Sequence, residues 1–244
     1  MAGAGGGRVS GEVGVIGGVG PAATVSFLDL VVRHTDAARD QDHVDLVVLQ
    51  HASIPDRTAY ILGDSPDDPG PVMAADARRL EALGVEFVVV PCNTAHHFTA
   101  EVAAAVTVPV LSIVDETVDE VAARPGTTRV GLLATSGTLA SGVYQRAAQE
   151  RGLAVVEPDA DDQRVVMGII YDQVKAGRPA DVPALRAVAD RLAARGADVV
   201  VLGCTELSVV ALEHGLLAEP LFVDSLDVLA RRTVVRAGRP LRGG

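Results

Sequence analysis

The fold is decided by two matching stretches of the sequence, FVVVPCNT at residues 87–94 and VVVLGCTE at residues 199–206. Each begins with an apolar, largely β-branched run, which is typical of a strand buried in a parallel sheet. A Pro or Gly ends the run, and a cysteine, Cys92 or Cys204, follows at once. A helical pattern then begins, and a helix N-terminus favours the thiolate form of a cysteine placed there. The repetition predicts a site in which two equivalent thiols act in the same way on the two sides of one substrate.

Other segments of the chain also occur in pairs. The first half opens with GVIGGVG at residues 14–20, and the second opens with GLLATSGT at residues 131–138. A Pro-led strand follows each cysteine and is predicted to end in Asp, at residues 109–115 and 220–224. The order is kept and the spacing is nearly constant, which indicates an internal duplication. Because strands and helices alternate throughout, the fold class predicted is α/β, with two pseudo-symmetric parallel-sheet domains and right-handed crossovers.

The duplication also predicts where the domains begin and end. Residues 11–113 together with 222–244 are assigned to an N-terminal α/β domain, and residues 114–221 to the second. The helical segments that end the two halves are candidates to cross to the opposite domain. Residues 51–70 carry clusters of Asp, Pro and Gly and are predicted to form a long polar loop, or a loop with a short turn. The Gly-rich residues 1–10 are predicted to be disordered.

Composition excludes several classes of function. The chain has 244 residues, with 48% hydrophobic and 22% charged residues, as an ordinary globular protein has. The net charge of −11 argues against a nucleic-acid partner, which needs basic surface. The sequence has no apolar run near the roughly 20 residues of a membrane span, and its start lacks the apolar core of a signal peptide. We therefore expect a cytoplasmic protein with no membrane and no nucleic-acid partner, whose cysteines stay reduced.

Lysine usage singles out one position. Of the 21 basic residues, only Lys175 is a lysine. A lysine carries a compact point charge, whereas arginine presents a planar fork, so a site that needs the former would retain lysine. The alternative is chance survival on a solvated helix end.

The sequence disfavours two classes of ligand, a dinucleotide and a zinc ion. The stretch GVGPAA at residues 18–23 fits a dinucleotide-binding pattern, but the second strand, at residues 45–51, does not end in the acid that would hold a ribose. The amides of this loop are still suited to a carboxylate. His96 and His97 near Cys92 suggest zinc, yet the chain has no C-x-x-C or H-x-x-x-H spacing. No metal is predicted.

Taken together, the motifs resemble the aspartate/glutamate racemase superfamily, and its aspartate racemase branch in particular. The resemblance is carried, in order along the chain, by residues 17–24, 54–59, 91–96, 131–138, 170–177 and 202–207. It implies a site in the cleft between two pseudo-symmetric domains and racemisation of acidic amino acids without a cofactor. The implied partner is a small acidic amino acid. A homodimer is also suggested by the resemblance, although the sequence shows no interface signature.

The residues suggest how such chemistry would run. One cysteine removes the Cα proton as a thiolate while the other donates a proton on the opposite face, and the roles exchange for the other enantiomer. Hydrogen-bond donors around the α-carboxylate would stabilise the carbanion. The resemblance assigns carboxylate binding to Arg57 and Lys175. The predicted site comprises catalytic Cys92 and Cys204, and substrate-binding Val19, Arg57, Asn93, Thr94, Thr135, Thr138, Lys175, Thr205 and Glu206.

Two positions depart from the family pattern, and alternatives stay open. Val19 stands where Met is usual, and Ser208 stands where Pro is usual. The first of these bears on substrate identity, and the sequence does not choose between aspartate and glutamate. The same fold could serve another proton transfer, such as maleate isomerisation or malonate decarboxylation, or a non-catalytic binder of acidic metabolites. Retention of both thiols argues against the pure binder, and a decarboxylase needs only one protonating cysteine.

Overall fold

A computed structural model describes residues 11–243, and the disorder predicted for residues 1–10 lies outside the described residues. The first four strands form a parallel sheet in the order β2-β1-β3-β4. They are β1 (Val13–Gly17), β2 (Leu46–Gln50), β3 (Phe87–Val89) and β4 (Val110–Leu111). The next four form a second parallel sheet in the order β6-β5-β7-β8. They are β5 (Arg129–Leu133), β6 (Ala154–Val156), β7 (Val199–Leu202) and β8 (Phe222–Asp224). The two strand orders correspond position by position, so the predicted duplicated α/β fold is confirmed.

Helices connect the strands in both halves. The α-helices are α1 (Pro21–His34), α2 (Arg57–Leu62), α3 (Gly70–Ala82), α4 (Thr99–Ala104), α5 (Ile113–Ala122), α6 (Ser136–Ser141), α7 (Val143–Glu150), α8 (Ala160–Gly168), α9 (Val182–Ala194), α10 (Thr205–His214) and α11 (Ser225–Arg236). Short 3-10 turns cover Asp40–Asp42, Thr94–Phe98 and Leu216–Ala218, and a π-helix covers Ile169–Val174. None of the helices within residues 11–243 combines the length and apolar character that crossing a bilayer requires.

The apolar core is arranged in three layers. The central layer contains residues from both sheets, from Val13 and Val15 of β1 to Val130 and Leu132 of β5. Helices α1, α11, α5 and α7 pack side by side within it. A second layer lies on the outer face of the first sheet under α3, and a third lies on the outer face of the second sheet under α9 and α10. The halves therefore share one core instead of meeting only at a surface.

The domain boundary predicted at residue 222 differs from the structure. Strand Phe222–Asp224 pairs with β7 and completes the second sheet, although it was assigned to the N-terminal domain. What crosses to the first half is the following helix, α11, which packs against α1. In the reciprocal crossing, α5 follows the first sheet and packs against α7 of the second half.

Local capping explains the details of two predicted segments. Of the two forms predicted for residues 51–70, the structure has a loop interrupted by the short helix α2, because the Asp56 carboxylate accepts a hydrogen bond from the Ala59 amide (2.8 Å) and starts a helix there. The predicted strand end at Asp115 is wrong. The strand stops at Leu111, and the Ser112 hydroxyl then caps α5 by accepting from the Asp115 amide at 3.1 Å.

Candidate active site

The carboxyl ends of β3 and β7 face one small pocket between the two halves. Both cysteines, the residues that follow these strands, line it as buried free thiols. The predicted residues that also line it are Val19, Arg57, Asn93, Thr94, Thr135, Lys175, Thr205 and Glu206. Thr138 lies just behind this wall. The structure thus brings together residues from six separate segments of the sequence.

The Cys92 turn is held by a histidine. His96 donates from Nδ1 to the Cys92 carbonyl (2.8 Å), and its Nε2 accepts from the Ile113 amide (3.1 Å). Burial lowers the pKa of His96, which keeps the ring neutral, as this pattern of one donated and one accepted bond requires. His97 packs edge-on against the Phe98 ring, with centroids 4.9 Å apart. Both His96 nitrogens are therefore occupied, and within residues 11–243 no three metal-ligating side chains are grouped as a metal site needs.

The state of Cys204 differs from the expectation for a thiol at a helix N-terminus. Its thiol caps no amide of α10 and instead donates to Oε2 of Glu206 at 3.0 Å. Burial raises the pKa of Cys204 well above its usual range, and the charge and hydrogen bond of Glu206 raise it further, although Lys175 opposes them. Desolvation and a neighbouring carboxylate outweigh the helix here. Cys204 is therefore a protonated donor to Glu206.

Lys175 is part of the pocket wall, at the end of the π-helix. Its ammonium lies 3.1 Å from Oε1 of Glu206 and 5.0 Å from the centroid of the Tyr171 ring. Burial alone would lower the pKa of Lys175, but the negative charge and the hydrogen bond of Glu206 oppose it, and the pKa is raised. The one lysine of the chain thus keeps its charge inside the site.

Arg57 is the first residue of α2 and is only 8% exposed. Its Nη1 donates to the carbonyls of Ile54 (3.2 Å) and Pro55 (2.9 Å), which fix the guanidinium against the loop. Its Nε is buried and has no hydrogen-bond partner among the described residues. A buried donor without a partner is costly, so this edge of the guanidinium is suited to an anion from outside the protein.

Three threonine hydroxyls form one wall of the pocket. Thr94 is hydrogen-bonded to Thr135 (2.9 Å) and Thr138 (2.8 Å), which are themselves 3.0 Å apart. Thr135 also caps α6 by accepting from the Thr138 amide at 3.1 Å. Thr138 therefore supports the wall from behind, and the cluster links the loop after β3 to the loop after β5.

Asn93 has a bracing role that the sequence did not indicate. Its Nδ2 donates to Ser225 (2.9 Å), and its Oδ1 accepts from the Tyr144 hydroxyl (2.6 Å). Ser225 in turn donates to the Leu202 carbonyl at 2.8 Å. Asn93 was expected to stabilise a carbanion. Both polar atoms of its side-chain amide instead make hydrogen bonds that fix the Cys92 loop to α7, α11 and β7.

Three further residues line the pocket without having been singled out, Asp56, Thr58 and Tyr171. The Tyr171 hydroxyl lies 3.4 Å from Asp56, across the cleft. A Cβ on Gly137 would lie 2.8 Å from the Thr58 backbone, so α2 and α6 approach as closely as a glycine allows. All three residues belong to motifs quoted above. Within these motifs, the positive charges of Arg57 and Lys175 are the stronger sequence signal for carboxylate binding.

A wider, open pocket of about 1030 Å³ adjoins the small one. Its lining is mostly small and apolar, and it includes Gly20, Pro21, Ala22, Ala52, Ile54 and Val174. Four residues line both pockets and so form the boundary between them: Asp56, Arg57, Lys175 and Glu206. We call the two spaces the inner and the outer pocket.

The fold is a duplicated α/β fold, and each half presents one thiol to a pocket that also contains two cations. These features are those of the class of α/β amino-acid racemases. The chain belongs to the Asp/Glu/hydantoin racemase family, whose sequence profile matches residues 16–233. It is 31% identical over 229 residues to the broad specificity amino-acid racemase RacX of Bacillus subtilis, covering 91% of this chain and 96% of that one. The protein is thus an amino-acid racemase, an isomerase.

Solved structures agree with this assignment. The Picrophilus torridus aspartate racemase superposes with a TM-score of 0.82 at 30% identity, over 95% of this chain and 96% of that one. An aspartate racemase homologue from Pyrococcus horikoshii gives a TM-score of 0.74 at 25% identity, over 93% and 99% of the two chains. The predicted aspartate racemase branch is therefore confirmed.

Proposed function

We propose that the protein racemises aspartate, glutamate or both, without a cofactor, by proton transfer between Cα and two cysteines. The observation that carries the proposal is that Cys92 and Cys204 follow equivalent strands of the two sheets and line one small pocket. Inverting Cα requires an acid and a base on opposite faces, and two thiols from opposite halves supply both.

The charges of the pocket support an acidic substrate. Arg57 has an unpartnered buried donor, and Lys175 places an ammonium on a side chain that is 27% exposed at the edge of the pocket. Two cations match the two carboxylates of aspartate or glutamate, and charge-assisted hydrogen bonds are the strong ones in such a site. Burial away from water strengthens the contact with Arg57.

The proton moves in one direction as follows. The Cys92 thiolate takes the Cα proton and becomes a thiol, while the Cys204 thiol donates its proton to the opposite face and becomes a thiolate. The protonated state of Cys204 suits it to start as the acid. The Thr94, Thr135 and Thr205 side chains line the pocket and would stabilise the charge that develops on the carboxylate. The reverse reaction exchanges the two roles.

Incubation in deuterated water tests this function directly. Each enantiomer of aspartate and glutamate is supplied without pyridoxal phosphate, and the products are followed by chiral chromatography and by loss of the Cα–H signal. We expect racemisation with solvent deuterium at Cα, and none in a Cys92→Ser/Cys204→Ser variant. Consumption of a dicarboxylate without racemisation would instead support the isomerase or decarboxylase alternative.

A second candidate is racemisation of a wider range of amino acids. It is favoured by the similarity to RacX, described as a broad specificity racemase, and by the apolar lining of the outer pocket. Val19, buried in the inner wall, would leave more room than a longer side chain. Adding neutral amino acids to the same assay separates the two candidates, because only the broad enzyme turns them over at comparable kcat/KM.

A further inference from the structure

One carboxylate in the inner pocket has no part in the proposed proton transfer. Glu206 lies two residues after Cys204, in the first turn of α10. Its Oε2 accepts from the Cys204 thiol at 3.0 Å, and its Oε1 lies 3.1 Å from the Lys175 ammonium. The Glu206 side chain is 10% exposed, so both contacts are sheltered from water. Glu206 therefore joins one of the two thiols to one of the two cations.

Its place relative to the two pockets is also specific. Glu206 and Lys175 both line the inner pocket and the outer one. The backbone of the Gly-rich loop lies against them, since a Cβ on Gly20 would be 3.1 Å from Oε1 of Glu206. The ion pair thus stands at the boundary that a molecule entering from the outer pocket must pass.

The ammonium of Lys175 has a conflict of partners. Under the proposed function it binds a carboxylate of the substrate, but in the structure it pairs with a carboxylate of the protein. Two carboxylates at one ammonium repel each other, and the low exposure of Glu206 strengthens that repulsion. Glu206 must then yield, and the outer pocket beside it has room for its side chain.

We propose that Glu206 is an internal occupant of the carboxylate position at Lys175, that a substrate carboxylate displaces it, and that its displacement releases the Cys204 thiol. The inference rests on the proposed function for the identity of the displacing group. Its support is the pair of contacts at 3.0 and 3.1 Å. Because Glu206 also raises the pKa of Cys204, its departure makes the thiol easier to ionise. Binding of a carboxylate and readiness of the thiol for its reverse role as base are thereby coupled.

The thiol contact is tested without any ligand. Thiolate absorbance in the ultraviolet is titrated against pH in Cys92→Ser, so that only Cys204 reports, and again with Glu206→Gln added. Lys175 faces the thiol in both proteins. We expect the titration midpoint of Cys204 to fall by about one pH unit or more, the scale of one adjacent charge. The control is Glu213→Gln on the exposed side of the same helix, which should leave the midpoint unchanged. An unchanged or higher midpoint in Glu206→Gln overturns the proposal.

Displacement is tested with succinate, a dicarboxylate without an amino group. Calorimetry should show that Glu206→Gln binds succinate roughly tenfold more tightly than the wild type does, because a charged competitor has been removed. Weaker binding in Glu206→Gln overturns the proposal and makes Glu206 a direct contributor to the site. Racemisation of acidic amino acids by the wild type is assayed in parallel. If racemisation fails while the thiol midpoint still falls, the error lies in the proposed substrate and not in the contact of Glu206 with Cys204.

If Glu206→Gln does not fold, as judged by circular dichroism, Lys175→Met gives an independent reading in the Cys92→Ser background. It leaves Glu206 beside the thiol and removes the cation, so the Cys204 midpoint should rise and succinate binding should be lost. A fall in the midpoint overturns the proposal.

Discussion

Asp224, the last residue of β8, should make the stability of the fold depend on pH near neutrality. It is 4% exposed, and it caps α11 by accepting from the Asp227 amide at 2.8 Å. Burial raises the pKa of Asp224 from 3.8 to about 7. The folded protein therefore binds this proton more tightly than the unfolded chain does.

The direction of the effect follows from linkage. The stabilisation from the Asp224 proton is complete below the unfolded pKa of 3.8 and is lost as the pH rises through the folded value of about 7. A difference of one pKa unit corresponds to about 1.4 kcal/mol, so the free energy of unfolding falls by about 4 kcal/mol between the two pKa values. The exposed carboxyl of an ordinary surface Asp would contribute almost nothing over the same range.

Asp224→Asn isolates this contribution, because Asn caps a helix about as well as Asp and does not titrate. Urea unfolding at several values between about pH 4 and pH 8 gives the free energy of unfolding of both proteins. We expect the wild type to lose stability relative to Asp224→Asn by about 4 kcal/mol across that range. Asp190→Asn, on the exposed face of α9, is the control and should follow the wild type. Parallel curves for the wild type and Asp224→Asn would refute the reasoning.

Three other changes have defined outcomes. Gly137→Ala should lower both Tm and activity, because its Cβ would lie 2.8 Å from the Thr58 backbone in the opposite half. Gly168→Ala is the control and should be tolerated, since the nearest contact of its Cβ would be at 3.8 Å. Equal melting curves for the two variants would contradict this. Arg57→Ala should reduce kcat/KM for aspartate by about 1.5–3 kcal/mol of transition-state binding and affect alanine less, so an unchanged aspartate-to-alanine ratio would place the distal carboxylate elsewhere. Cys92→Ser and Cys204→Ser should each abolish racemisation. In deuterated water, each variant should still exchange the Cα proton slowly, and the two variants should do so for opposite enantiomers. Exchange of the same enantiomer by both variants would disprove two-base catalysis.

The sheets and the thiols were predictable because their signals are local. An apolar β-branched run ended by Pro or Gly marks both β3 and β7, and the cysteine after each run is then at the carboxyl edge of a parallel sheet. Strands of this kind are recognised from about eight residues of sequence. Their pairing into two equivalent sheets followed from the repetition alone.

The bracing contacts and the thiol state were not predictable, since they depend on residues brought together by the fold. Asn93 contacts Ser225, which is 132 residues away in the chain. Glu206 is near Cys204 in sequence, but only the structure shows that its carboxylate turns back to the thiol. The sequence pattern shows the helix N-terminus that favours a thiolate but not the desolvation that opposes it, and in the fold burial raises the pKa of Cys204.

The two crossing helices make the halves mutually dependent. Helix α5 leaves the first sheet to cover the second half, and α11 leaves the second sheet to pack on α1, with Arg236 lying 5.3 Å from the ring centroid of Phe87 in β3. A chain cut between the halves would leave each fragment lacking its partner's helix, with an apolar face open to water. Such fragments would be obligate complements of one another, each insoluble alone and able to reconstitute the cleft only as a pair. Each half therefore closes its apolar core only with a helix that the other half supplies.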